Sequence, residues 1–271
     1  MTELTTTAAQ LRARIIANSH KSATPHLGSC LSCVDILTAL YFSVLRINPE
    51  QPDDPLRDRC ILSKGHGAPA LFQVLAERGY YPHELMDNYG EDGGVFAEHP
   101  PTPEHLPGIE AATGSLGHGL PIGLGMALAG RVNQHVYNVY VVLGDGECNE
   151  GSVWESAMMA SSQGASNLYV IVDFNKWQAT GRSQDVLSLD PLADKWRAFG
   201  WNAVETDGHD IAALLEVLNQ FPSKNGKPTA IIAHTIKGKG VSFMEDDNNW
   251  HYRIPTVDEV EQAKRELGVA E

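Results

Sequence analysis

The sequence predicts an α/β fold: a parallel β-sheet with helices on both faces. Two features predict it. Apolar runs of strand length at 136–143, 168–173, 201–206 and 229–234 alternate with stretches of helical period at 120–132, 152–162, 192–199 and 211–218. The run at 136–143 is apolar almost without interruption, as expected of a strand covered on both sides.

The elements follow in order. Leu11, Ile15 and Ile16 open one amphipathic helix, and Val34, Ile36, Leu37, Leu40 and Tyr41 belong to a second that ends near Asn48-Pro49. Together they make a helical N-terminal segment over about 8–48. A polar stretch with Pro52 and Pro55 reads as loop, and 68–78 as a helix closed by Gly79. Residues 90–108 are rich in Gly and Pro without periodicity, and a loop that long inside a domain is usually functional or disordered. The helix at 120–132 is so rich in Gly and Ala that a neighbour must pack closely on it. No internal repeat or linker interrupts the chain, so 1–271 reads as one domain.

Composition excludes several classes. The chain has 271 residues, 42% hydrophobic and 20% charged, which is globular. Its 20 Lys and Arg against 34 Asp and Glu give a net charge of −14, which repels phosphate backbones and argues against nucleic acid. An anionic ligand then needs a local positive site. No apolar run approaches the about 20 residues that span a bilayer, so a soluble cytoplasmic protein without a membrane partner is expected. Cys30 and Cys33 form one C-x-x-C with no second ligand pair for zinc, and read as small residues packing a helix start.

In parallel sheets ligands bind beyond the carboxyl ends of the strands, where the motifs fall. Gly144-Asp145-Gly146-Glu147 follows one strand, Asp173-Phe174-Asn175 ends the next, and 234–240 follows the last. The 28 residues between Gly146 and Asn175 fit one helix and one return strand, which brings Asp145 and Asn175 to neighbouring strand tips. A carboxylate, an amide oxygen and the Trp177 carbonyl are hard oxygen donors suited to Mg²⁺ held against a diphosphate. Glycines admit the backbone to the phosphates, and a helix N-terminus adds positive charge. Neither G-x-G-x-x-G nor G-x-x-x-x-G-K-[ST] is completed. Thr113-Gly114-Ser115-Leu116-Gly117-His118-Gly119-Leu120 is a second glycine-rich element, either a backbone cradle or a tight turn that packs a helix.

The span from Gly144-Asp145-Gly146 to Asn175 resembles the thiamine-diphosphate fingerprint. The further motifs resemble transketolase, specifically its diphosphate-binding N-terminal domain. They are Thr24-Pro25-His26-Leu27-Gly28-Ser29-Cys30, Leu62-Ser63-Lys64-Gly65-His66-Gly67, Glu98-His99-Pro100, Ala112-Thr113-Gly114-Ser115-Leu116-Gly117, Thr235-Ile236-Lys237-Gly238-Lys239-Gly240 and Trp250-His251. They recur in the family's order from about residue 10 to 255.

The resemblance implies thiamine diphosphate and Mg²⁺ as cofactors, with Ca²⁺ or Mn²⁺ able to substitute. Asp145, Asn175 and the Trp177 carbonyl would hold the metal. Ser29, Gly114, Ser115, Leu116, Gly146 and Lys237 would line the cofactor, and His66 and His251 would reach its diphosphate. With His26 and His99 these histidines would face the hydroxyls and carbonyl of a sugar or sugar phosphate, where proton transfer near neutral pH suits imidazole. Glu150 would join a carboxylate network across the subunit interface. His83, His105, His135 and His209 receive no role. Only the first of the family's three domains is matched. The chain therefore reads as one subunit of a split enzyme that needs a partner carrying the pyrimidine-binding domain, two copies of each (α2β2).

Pro25 stands where the family commonly has Gly, and His118 where it often has Gln, a packing change in preference to a fifth proton-handling group. These differences keep open a specialised ketol transferase acting on a branched or modified sugar. The His66/His99/His251 set and the Gly-Ser-Leu-Gly motif argue against deoxyxylulose-phosphate synthase and a 2-oxoacid dehydrogenase α-subunit. Intact metal ligands argue against a silent stabilising subunit.

Overall fold

The computed structural model describes residues 2–220 and 225–269. Among these described residues five strands, β1 (Arg59–Leu62), β2 (Val139–Gly144), β3 (Leu168–Phe174), β4 (Asn202–Asp207) and β5 (Thr229–His234), form one sheet in the order β1-β2-β3-β5-β4. Every pairing is parallel. The helices among the described residues are α1 (Glu3–Ser22), α2 (Leu27–Ser32), α3 (Val34–Ala39), α4 (Ala68–Glu77), α5 (Gly119–Val132), α6 (Gly151–Ser162), α7 (Ser183–Leu187), α8 (Leu192–Ala198), α9 (Ile211–Asn219) and α10 (Val257–Leu267).

Both faces of the sheet are covered, which is why its central strands read as unbroken apolar runs. Side chains alternate along a strand. Tyr140, Val142, Tyr169 and Ile171 enter one core with residues of α1–α4, α9 and α10. Val139, Val141, Leu143, Val170 and Val172 enter the other with residues of α5, α6 and α8. The tight packing expected on the Gly-rich helix is made by β2: a Cβ on Gly123 would stand 2.6 Å from Val141 Cγ2.

Several expectations need correction. The stretch read as loop after Pro55 contains edge strand β1, only four residues long and opening on a charged side chain, so no apolar run announces it. The first expected strand starts three residues late, because Val136 is exposed and follows Gln134, whose φ is +58°. The N-terminal helix begins well before residue 8, with the Thr2 hydroxyl accepting from the Thr5 amide. The second N-terminal helix is broken at Cys33 and finishes as a π-turn over Leu40–Val44. Helix α10, not expected, starts on a capping box of Thr256 and Glu259 and ends at Gly268. Cys30 and Cys33 are fully buried in the core. Residues 90–108 hold no helix or strand but are pinned by buried Phe96 and Leu106. Among the described residues, no helix is long and apolar enough to cross a membrane.

The close approach at α5 separates two glycines of one helix. Gly123→Ala should destabilise the isolated chain by about 1–3 kcal/mol through overpacking. Gly125, where an added Cβ meets nothing within 4 Å, should gain about 0.5–1 kcal/mol when changed to Ala. Urea unfolding of the two variants measures both.

Candidate active site

The site lies at the carboxyl ends of β1, β2, β3 and β5. The register pairs Gly144 with Asp173 and Phe174 with His234. Asp145 and Asn175 therefore leave adjacent strands at nearly the same level. Beneath them Asp173, fully buried, gathers the surroundings. Lys64, just past β1, reaches over the tip of β2 to donate to its carboxylate, and also donates to the Ser29 carbonyl at 2.8 Å. Ser32 donates to the same carboxylate at 2.6 Å, and the Thr235 hydroxyl donates to its other oxygen. Burial alone would raise the Asp173 carboxyl and lower the Lys64 ammonium. Their mutual attraction outweighs it, so Asp173 lies below and Lys64 above the usual range, and both stay charged.

A second buried carboxylate, Glu147, ties the glycine-rich turn to the sheet. It accepts from the Ser63 hydroxyl, from the Gly117 amide at 2.9 Å and from the Gly144 amide at 3.1 Å. Burial raises its carboxyl while those donors pull the other way. Gly114 and Gly117 have φ of +146° and +81°, backbone that side chains rarely adopt, and a Cβ on Gly114 would sit 2.8 Å from the His99 ring.

Four histidines meet across the opening. The His26 ring centroid lies 5.0 Å from that of His251, 5.7 Å from His66 and 6.3 Å from His99. His26 is held at φ +75°. There its amide donates to the His251 carbonyl at 2.9 Å, while its own carbonyl accepts from Ser29 and Cys30 at the start of α2. Such a backbone is costly for a β-carbon-bearing residue and is retained where the surroundings over-determine it. Lys237, fully buried, donates to the Asn248 side-chain oxygen at 2.7 Å and to His251 Nδ1 at 3.1 Å. A lysine only donates, so Nδ1 of His251 is the acceptor and its proton sits on Nε2. Burial, then Lys237, pushes His251 down to about 3. Burial and Lys64 hold His66 well below the ordinary value, and burial and His99 lower His26. These three imidazoles are neutral at physiological pH. Burial and the nearby Lys64 bring Lys237 itself down to about 8.

The cavity between these groups has a volume of about 390 Å³. Its wall includes His26, Ser29, His66, Gly114, Leu116, Asp145, Gly146, Glu150, Asn175, Trp177 and His251 from the expected set. His99 and Lys237 are next to lining residues without being part of the wall, His99 beside His26 and Lys237 on His251. Ser115 is exposed and does not line it. His118, also exposed, turns Nδ1 to the Leu116 carbonyl at 3.1 Å and contributes nothing to the wall.

Lys64, Asp173 and Glu147 are the functional-site residues to which motif reading gives no role. Lys64 is hidden because the short strand before it carries no sequence pattern. His209, also given none, donates from Nδ1 to Asp35 at 2.8 Å and accepts the Ile236 amide at Nε2 at 2.8 Å.

A cation and a diphosphate fit this cavity. Among the described residues no group of three or more His, Cys, Asp or Glu converges on a metal position. The Asp145 carboxylate, the Asn175 amide oxygen and the Trp177 carbonyl could offer a cation three hard oxygens, which would leave places for water and phosphate as Mg²⁺ prefers. Burial lifts the Asp145 carboxyl to about 6, although Ser183 donates to it at 2.6 Å. Such a desolvated carboxylate gains from a cation. Asn175 Oδ1 accepts the Trp177 amide at 3.0 Å, which fixes that turn. Gln178 Nε2, on the same wall, is a buried donor with no acceptor among the described residues. An added Cβ on Gly146 would come 2.9 Å from the Gln178 side chain.

The sequence matches the transketolase, thiamine diphosphate binding domain family over residues 5–271. The chain belongs to the transketolase family. It is 41% identical to an apulose-4-phosphate transketolase subunit of Phocaeicola vulgatus, covering 94% of this chain and 90% of that protein. It is 43% identical to the 6-deoxy-6-sulfo-D-fructose transketolase subunit SqwG of a Clostridium species, covering 81% and 80%. The solved transketolase of Leishmania mexicana superposes with a TM-score of 0.92 at 25% identity over 99% of this chain, which spans 42% of that one. As a transketolase-family chain it is a transferase by kinship and carries a thiamine diphosphate binding domain.

Lys64→Met strands the buried Asp173 charge and should cost about 3–5 kcal/mol in urea unfolding. Acid acts through the histidines. A histidine with a depressed folded-state pKa refuses protons that the unfolded chain accepts, so its contribution is intact above pH about 6.5 and lost as the pH falls toward the folded value. For His251 that window runs from about 6.5 down to about 3. The melting temperature of His251→Asn should fall less steeply than that of the parent between pH 6.5 and 4.

Proposed function

We propose that this chain is the cofactor-holding subunit of a two-chain transketolase. The enzyme moves a two-carbon ketol unit from a ketose or ketose phosphate to an aldose or aldose phosphate. What supports the reading is one juxtaposition in a chain of this family: an Asp145–Asn175–Trp177 oxygen set and a cluster of neutral imidazoles on one cavity. The length relations support the split. The chain covers most of two relatives named as subunits and only 42% of a solved transketolase.

In this reading Asp145, Asn175 and the Trp177 carbonyl hold Mg²⁺, which Ca²⁺ or Mn²⁺ can replace, against the diphosphate. Thiamine diphosphate, when bound, supplies the nucleophilic carbon and the electron sink for breaking and forming the C–C bond. The protein's part is orientation and proton handling. Gly114, Leu116 and Gly146 let backbone approach the cofactor, with Ser115 beside them. Ser29, His66, Lys237 and His251 provide donors and charge toward the phosphates. His251 Nε2–H donates, because Lys237 occupies Nδ1. His26, His66 and His99, with His251, face the sugar's hydroxyls and carbonyl. A neutral imidazole accepts a hydroxyl proton and later returns it. Lys237 brings a buried ammonium group that donates to neutral partners, Asn248 and His251, whereas the charge of Lys64 is matched by Asp173. Glu150, exposed at the rim in this single chain, meets a carboxylate network in the assembled enzyme. The partner supplies the pyrimidine-binding domain, in an α2β2 assembly.

A second reading narrows the substrate. Relatives named for apulose-4-phosphate and 6-deoxy-6-sulfo-D-fructose favour a specialised ketol transferase on a branched or modified sugar.

The test is complementation. The purified chain with thiamine diphosphate and Mg²⁺ should show no ketol transfer, and turnover should appear when a pyrimidine-binding partner is added. Robust transfer by the chain alone would refute the split. Asp145→Ala should abolish metal-dependent cofactor binding in a calorimetric titration, and unchanged binding would reject the metal assignment. A donor and acceptor panel assayed on the complex separates plain from modified sugars.

A further inference from the structure

His209 lies on the turn after β4, the edge strand opposite β1, and the chemistry proposed above does not use it. Its surroundings are built. On α1, buried Arg12 grips buried Asp35 of α3 with both terminal nitrogens, at 3.0 and 2.5 Å. Asp35 in turn accepts from His209 Nδ1 at 2.8 Å. A carboxylate held by arginine only accepts, so Nδ1 carries the ring proton and Nε2 is left with a lone pair. That lone pair receives the Ile236 amide at 2.8 Å. The turn is fixed from its own side as well: the His209 amide donates to Asp207, and the Gly208 amide to the His234 carbonyl, both at 2.8 Å.

Ile236 is the middle residue of the segment that enters the site. On one side the Thr235 hydroxyl binds Asp173. On the other, Lys237 runs past Gly28, where an added Cβ would stand 2.9 Å from its Cγ, to reach Asn248 and His251 Nδ1. A chain of directed hydrogen bonds thus runs from Arg12 through Asp35 and His209 to the backbone that aims Lys237.

We propose that His209 is a positioning residue: its Nε2 lone pair holds the Ile236 amide so that Lys237 reaches His251 Nδ1. The consequence for cofactor binding rests on the reading of Lys237 and His251 as cofactor-facing groups. The placement of Lys237 on His251 does not.

The experiment uses the free chain, labelled with ¹⁵N-histidine and read by long-range proton–nitrogen correlation. His209→Asn keeps a donor where Nδ1 stands but cannot reach Ile236. His209→Gln places a carbonyl near the position of Nε2. Lys237→Met reports His251 without its lysine. The His251 Nδ1 resonance should move in His209→Asn toward its position in Lys237→Met, and should stay near the parent position in His209→Gln. In the presence of Mg²⁺, His209→Asn should bind thiamine diphosphate about two- to tenfold more weakly, the worth of one hydrogen bond, and His209→Gln should recover most of that loss. A folded His209→Asn chain with an unmoved His251 resonance would overturn the proposal, and so would equal displacement in the Asn and Gln variants. Should the Asn variant fail to fold, the Gln variant decides alone: a parental His251 resonance supports the role and a displaced one refutes it. A parent chain that binds no thiamine diphosphate would contradict the functional reading and leave the resonance test standing.

Discussion

The buried ion pair between Lys64 and Asp173 is the constraint on which the site depends. A charge pair this far from water needs further hydrogen bonds to offset its desolvation. Here the Ser29 carbonyl accepts a second Lys64 proton, and Ser32 and Thr235 donate to Asp173, from two different elements beyond the strand itself. The cost of burying the pair thereby locks α2, the β1 tip and the β5 tip into one arrangement around β3. Asn175 leaves β3 two residues later, so the rigidity passes directly to the proposed metal corner. Glu147 does the corresponding work for the glycine-rich turn at Gly117, which it ties to the tip of β2 at Gly144.

The second consequence is electrostatic. An acidic chain must create positive potential locally if it is to receive a phosphorylated ligand. Lys237, which donates to the neutral groups Asn248 and His251, supplies it, since the charge of Lys64 is matched by Asp173; burial, together with these lysines, depresses His66 and His251. The same burial that depresses His66 and His251 leaves Lys237 close to its titration range. Bound anions would restore its full charge. Neutral imidazoles beside fixed ammonium groups suit a reaction in which protons leave and return to oxygen while a phosphate tail stays put.

Much of this is legible in the residues, for physical reasons that differ by element. Strands β2 and β3 announce themselves because both faces are buried, and the 28-residue interval then forces Asp145 and Asn175 together. Strand β1 does not, since four residues flanked by Asp58 and a charged first position carry no periodicity. With it goes the meaning of Lys64, whose reach to Asp173 is only evident once β1 lies beside β2. Helix α10 is signalled by Thr256 and Glu259 at capping-box spacing, a local cue easily lost amid polar residues. His209 has no such cue: its partners are 174 and 27 residues away in the chain. The histidine cluster is found by likeness of motif, and the depression of His26, His66 and His251 follows only from burial and from the neighbours each meets in the fold.

In the proposed enzyme the tips of β2 and β3 hold a divalent cation against a diphosphate. Anomalous diffraction from crystals of the chain grown with thiamine diphosphate and Mn²⁺ can locate that cation. One strong manganese peak should lie within bonding distance of Asp145, Asn175 and the Trp177 carbonyl, touching the diphosphate oxygens. A coenzyme bound with manganese elsewhere, or with none at those tips, would contradict it.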